Sequence, residues 1–183
     1  MNTSQRPHKL ANRTYQRPVS ELIQQAREGV LRRRVDEVAS LVGLTDKEMA
    51  HILGMSVRGL HGKQVDELLT LSASERLLLL ERLLRHGLAV FDGRSDLLSR
   101  WLRTPLQELG YHEIPVEFQQ FTSVRDMGDF QEPKPTYERT STSVAAETTT
   151  PIIPQSPLAV LDTVSGFSLV DDVLGRIEWG IVG

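Results

Sequence analysis

From Val19 to about Phe91 the apolar residues recur at helical spacing, and each segment carries its own start and stop signals. The pattern predicts a first helix capped by Ser20 and ended by Gly29. Leu31, Val35, Val38 and Val42 fall at i, i+4, i+7 and i+11 of a second helix, with Gly43 as its stop. Thr45-Asp46-Lys47-Glu48 is a capping box, in which the threonine oxygen and the glutamate each reach for an orphan N–H of the other. It sets the start of a short helix, Asp46 to Leu53. Gly54-Met55-Ser56 interrupts the pattern, and Ser56 can cap a further helix from Val57 to about Gln64. Two short helices joined by a glycine turn make a helix-turn-helix candidate.

Ser72-Ala73-Ser74-Glu75 reads as a second capping box that opens a long helix to Phe91. On that helix Leu77, Leu80, Leu84, Leu88 and Phe91 form one stripe, and Leu79, Leu83 and Val90 form a second patch. A helix apolar on two sides packs against two bodies, either the two halves of the chain or a second copy. Asp92-Gly93 breaks it, Ser95 is placed to cap a helix through Trp101-Leu102, and Thr104-Pro105 opens a short helical turn closed by Gly110.

Beyond Tyr111 the rhythm is lost. Between Gln131 and Pro157, five prolines, six threonines and three serines fill 14 of 27 positions. That composition cannot bury enough surface to offset chain entropy, so positions 111–155 read as a disordered or weakly extended insertion. Helical signals return at Ser156-Pro157, with Leu158, Val160 and Leu161. After Gly166, Leu169, Val170, Val173, Leu174 and Ile177 predict a last helix. No segment reads as a strand, and the fold class expected is all-α.

Charge sharpens the picture. The net charge is −3, but residues 1 to 35 carry eight basic groups against Glu21 and Glu28. Twelve acids and four bases lie beyond Leu106. One end suits an anion and the other does not. With no cysteine in the chain, disulfides, thiol nucleophiles and thiolate metal sites are excluded. The run Leu77-Leu78-Leu79-Leu80 stops at Glu81, far short of the roughly 18 apolar residues of a membrane span. The basic, acid-free start has no apolar h-region, which points away from a secretory signal, and the lack of cysteine fits a cytoplasmic address.

A recognition helix must offer donors to base edges in the major groove. Ser56, Arg58, His61, Lys63 and Gln64 are the candidates, and Arg32, Arg33 and Arg34 are candidate phosphate contacts. Gly59 and Gly62 count against them, each costing about 1 kcal/mol in a helix interior and removing a side chain from the reading face. The same residues also fit a three-helix packing module whose arginines are merely solvated. His8, His51, His61, His86 and His112 show no metal-ligand spacing, and there is no nucleophile elbow and no phosphate cradle. The chain is therefore expected to have no catalytic residues, no metal and no cofactor. At the carboxyl end, Trp179, Ile181 and Val182 either pack on their own core or fill a pocket in a partner, with Arg176 at the rim.

These residues resemble a family, the antitoxins of the Xre/MbcA/ParS type that partner RES-domain toxins in bacterial type II toxin–antitoxin pairs. The resemblance is carried by Gly43-Leu44-Thr45 with Leu53-Gly54-Met55-Ser56, by Trp101-Leu102-Arg103-Thr104-Pro105 with Leu109-Gly110, and by Ser156-Pro157-Leu158 through Leu161-Asp162-Thr163 and Gly166. It ends in Leu174-Gly175-Arg176-Ile177-Glu178-Trp179-Gly180. Beside the basic tail that composition marks at 1–18, it implies a dimerising, operator-binding helix-turn-helix domain at 19–92 and a helical toxin-binding domain at 93–183. The carboxyl-terminal part of such antitoxins blocks a toxin that uses NAD, a role that falls here on Arg176, Glu178, Trp179, Gly180, Ile181, Val182 and Gly183. The chain departs from the family in its insertion at 111–155, where the family runs on almost directly, and in the glycine pair of the recognition helix. A stand-alone DNA-binding transcriptional regulator or nucleoid-associated protein is the alternative.

Overall fold

The computed structural model describes residues 18–112 and 152–180. Eight helices are formed among them: α1 (Val19–Glu28), α2 (Arg33–Ser40), α3 (Asp46–Leu53), α4 (Val57–Gly62), α5 (Leu71–Val90), α6 (Ser95–Arg103), α7 (Pro157–Val160) and α8 (Val164–Glu178). Two strands, β1 (Leu106–His112) and β2 (Ile152–Gln155), pair antiparallel. The fold is mostly helical, as the pattern predicts, and α5 is its axis. Leu77, Leu80 and Leu84 are fully buried, and α5 packs against α1, α2 and α3 on one side and α6 and α8 on the other. The two bodies expected from its two apolar patches are therefore the two halves of the chain. A single cluster of buried side chains runs from Val35 to Leu174.

The caps are partly as expected. The Thr45–Glu48 box forms in full: Thr45 Oγ1 accepts from the Glu48 N–H and a Glu48 carboxylate oxygen accepts from the Thr45 N–H at 2.7 Å. At α1 the cap is Pro18, with no side-chain bond, and Ser20 already lies inside the helix. Leu31 lies outside α2 and forms an isolated bridge with Leu68. α5 starts one residue before Ser72, capped by Thr70 Oγ1 on the Ala73 N–H. Ser74 is instead buried within the helix, where its hydroxyl donates to the Leu69 carbonyl and accepts from the Val30 N–H. α6 is preceded by Arg94, with Ser95 as its first residue. α8 begins before Gly166, capped by Thr163 Oγ1 on the Gly166 N–H at 3.0 Å.

The largest correction is β1. Residues 106–112 were expected to hold a helical turn and the start of the insertion, and 152–155 its end, yet they pair as strands. Tyr111 stands opposite Ile153 and His112 opposite Ile152, with an irregularity before Leu106 meets Gln155. Pro154 is tolerated because a two-stranded sheet has only edge strands. The ends of the excursion are thus held side by side, while positions 113–151 lie outside the described residues, as do 1–17 and Ile181, Val182 and Gly183.

Candidate functional site

The helix-turn-helix forms where it was expected. Gly54 closes α3 in the left-handed region, φ +66°, which a side chain rarely adopts. Ser56 then caps α4, its oxygen accepting from the Gly59 N–H at 2.9 Å. Gly59 fits that cap closely, since a Cβ there would lie 3.0 Å from Ser56 Oγ. His61 Nε2 lies 2.7 Å from Asp46 Oδ2, so the far end of α4 is tied to the first residue of α3. α4 ends at Gly62, two residues earlier than its pattern suggests. Lys63 and Gln64 therefore sit in the following loop, where Lys63 pairs with Glu67 and the Gln64 N–H donates to the same carboxylate. Ser56, Arg58 and His61 remain together on the exposed side of α4.

The three arginines at the start of α2 divide. Arg32 is buried: its Nε donates to the Leu60 carbonyl at 3.1 Å and its Nη1 pairs with Asp36, which fastens α2 to α4. Arg34 reaches Glu81 on α5 at 2.7 Å and also Glu37. Burial pushes the Glu81 carboxyl up, but the guanidiniums of Arg85 and Arg34 outweigh it and hold its pKa below the ordinary 4.5. Arg33 stays exposed, and among the described residues its guanidinium makes only a long contact with Asp66. Of the three, it is the one most available to a phosphate.

Two residues of the interface were missed by the sequence reading. The guanidinium of Arg76, from the first turns of α5, lies over the α3–α4 turn. A Cβ on Gly54 would sit 2.0 Å from its Nη1, so the glycine makes room for it. Among the described residues no carboxylate pairs with Lys47, Arg58 or Arg76, which leaves cations on α3, α4 and α5 without an internal counter-ion. Arg103 of α6 is the other. It grips both oxygens of Glu48 at 2.8 Å, donates to the Gly43 carbonyl, and so locks α6 onto the capping box. The only hint in the sequence was its place in Trp101-Leu102-Arg103-Thr104-Pro105; nothing local marks its target 55 residues away.

Residues 21–82 match the model of a family described as the antitoxin Xre-like helix-turn-helix domain. No curated protein matches the chain. The Xre-like match runs from α1 to the middle of α5, and it supports a DNA-binding antitoxin or regulator. The Xre-like region thus shares its last helix with the carboxyl-terminal half.

That half ends in the second candidate surface. Arg176 Nη2 pairs with Glu108 of β1 at 2.8 Å, and Glu178 Oε2 lies 3.5 Å from His86 of α5. Trp179 caps α8 and is 64% exposed. Gly180 follows at φ +69°, the left-handed glycine that commonly terminates a helix. The last three residues of the expected partner surface lie outside the described residues. Among the described residues no group of three or more His, Asp or Glu could hold a metal ion, and no helix is long and apolar enough to cross a membrane.

The interface makes a salt-resolved expectation. Arg58→Ala should lower affinity for a specific operator duplex more than for random duplex. Arg76→Ala should lower both alike and reduce the slope of log K against log salt by about 1. Fluorescence anisotropy on both duplexes across a salt series checks this. An unchanged slope for Arg76→Ala, or equal losses on both duplexes for Arg58→Ala, contradicts the assignment.

Proposed function

We propose that the chain is a non-catalytic cytoplasmic antitoxin. It binds a cognate RES-domain toxin, occludes the toxin's NAD-binding active site with its carboxyl-terminal segment, and regulates its own operon by binding operator DNA as a homodimer. It needs no cofactor of its own. The observation that carries the reading is Trp179: a large aromatic left 64% exposed at the tip of a helix whose neighbouring charges, Arg176 and Glu178, are tied to β1 and α5. An anchored stem with an exposed aromatic tip is the form expected of a group that fills another protein's cavity, since aromatic anchors dominate interface energetics. The Xre-like match and the cations of α3 to α5 that pair with no carboxylate among the described residues support the DNA-binding arm.

The confinement of that match to residues 21–82 favours a second reading, a stand-alone regulator or nucleoid-associated protein. The two separate on the tail. Deleting Ile181 to Gly183 should leave the melting temperature near wild type but weaken rescue of cells expressing a cognate RES-domain toxin. Full rescue by the truncated chain rules out occlusion by the tail.

A further inference from the structure

His86 sits near the end of α5, half-buried against α8. Its Nδ1 is 2.7 Å from Asp171 Oδ1 and its Nε2 is 3.5 Å from Glu178 Oε2. The two acids are seven positions apart, hence two turns apart on one face of α8, and they approach the ring from its two nitrogens. A neutral imidazole carries one N–H and serves one carboxylate; only the imidazolium donates to both. Two acids on opposite nitrogens also cannot converge on a metal ion. The other charged groups nearby are on α5 itself: Arg82, which shares a groove with Asp171, and Arg85, turned toward Glu81. Among the described residues no ion pair reaches His86 from any element other than α8.

We propose that His86 is the positioning residue for the partner surface. As the imidazolium it clamps the last turn of α8 to α5, holds Trp179 in its presented pose, and makes partner affinity fall as the ring loses its proton. This rests on the reading of the carboxyl end as a partner surface. The sign follows from the ring's surroundings. The hydrogen bond and charge of Asp171, helped by Glu178, outweigh burial and raise the pKa above the ordinary 6.5. A raised native value means that the clamp is complete below the ordinary value and is lost as pH climbs through the raised one.

The test uses the full chain carrying Trp101→Phe, so that Trp179 alone reports. Its fluorescence anisotropy should be high in mild acid and fall on titration toward about pH 9, with a midpoint above that of free histidine. His86→Gln should give a low, flat profile, and Asp171→Asn should move the midpoint to lower pH. Affinity for the RES-domain toxin should drop about three- to tenfold over the same range in the wild type and stay flat in His86→Gln. A flat wild-type anisotropy, or a titration that survives in His86→Gln, overturns the clamp whatever the tail does. If anisotropy titrates as expected but toxin binding is tight and pH-independent, the positioning role is overturned while the partner reading stands; no binding of the toxin at any pH overturns the partner reading itself.

Discussion

Gly166→Ala is expected to cost about 3 kcal/mol or more of folding stability. A Cβ at this position would sit 1.7 Å from the Val160 carbonyl oxygen, 2.7 Å from its carbon and 3.0 Å from Thr163 Oγ1. The obstruction is backbone, which cannot swing aside like the end of a flexible side chain. The same carbonyl accepts from the Thr163 hydroxyl at 3.2 Å, and that hydroxyl oxygen accepts from the Gly166 N–H. Relieving the clash therefore opens the α7–α8 joint and breaks the cap of α8 together. Phe167, Val170, Val173 and Leu174 of α8 belong to the common core, so the loss spreads to α5. Gly175→Ala is the control: nothing lies within 4 Å of its Cβ position, and the change should be neutral or stabilising by up to about 1 kcal/mol. Denaturant melts of the two variants check the contrast. Equal stabilities would mean that α7 and α8 do not meet as described.

Trp179→Ala should weaken toxin binding by about 2–4 kcal/mol, roughly 30- to 700-fold, with little change in melting temperature. The asymmetry follows from exposure, because a side chain that is mostly in water contributes little to its own fold but a great deal once a partner desolvates it. Leu174→Ala, five residues back on α8, should do the reverse. Its side chain is fully buried, so its loss costs about 2–5 kcal/mol of stability before any binding is measured. Calorimetric binding and thermal melts of both variants separate the roles. A Trp179→Ala chain that binds toxin like the wild type would remove the aromatic tip from the mechanism.

What could be read from the sequence was what is local. The α3 capping box closes through bonds spanning three residues, and its helix has the predicted bounds, Asp46–Leu53. The turn at Gly54 and the cap at Ser56 were legible for the same reason. β1 was misread because Leu106 and Leu109 stand three apart, a helical interval, behind a proline suited to a first turn. The irregular register between Leu106 and Tyr111 hides the alternation of a strand, and its partner lies some forty residues away. Thr70 was passed over for Ser72 because both precede the same apolar run, and only the Val30 segment, bonding to Ser74, decides between them. Arg32 read as a candidate phosphate contact, since nothing nearby in sequence reveals the Leu60 carbonyl that it satisfies instead. His86 drew no attention alone; the two acids that give it a role lie 85 and 92 positions downstream.

The strand pairing also bears on how this chain can change. Because His112 and Ile152 are register partners, whatever joins them begins and ends within one cross-strand spacing. Doubling the length of such a connection adds only about 0.6 kcal/mol of closure entropy. The zipped stem therefore works as a socket. Segments of very different size and composition can be exchanged there in the course of evolution, or grafted by design, without the α5-centred body having to adjust.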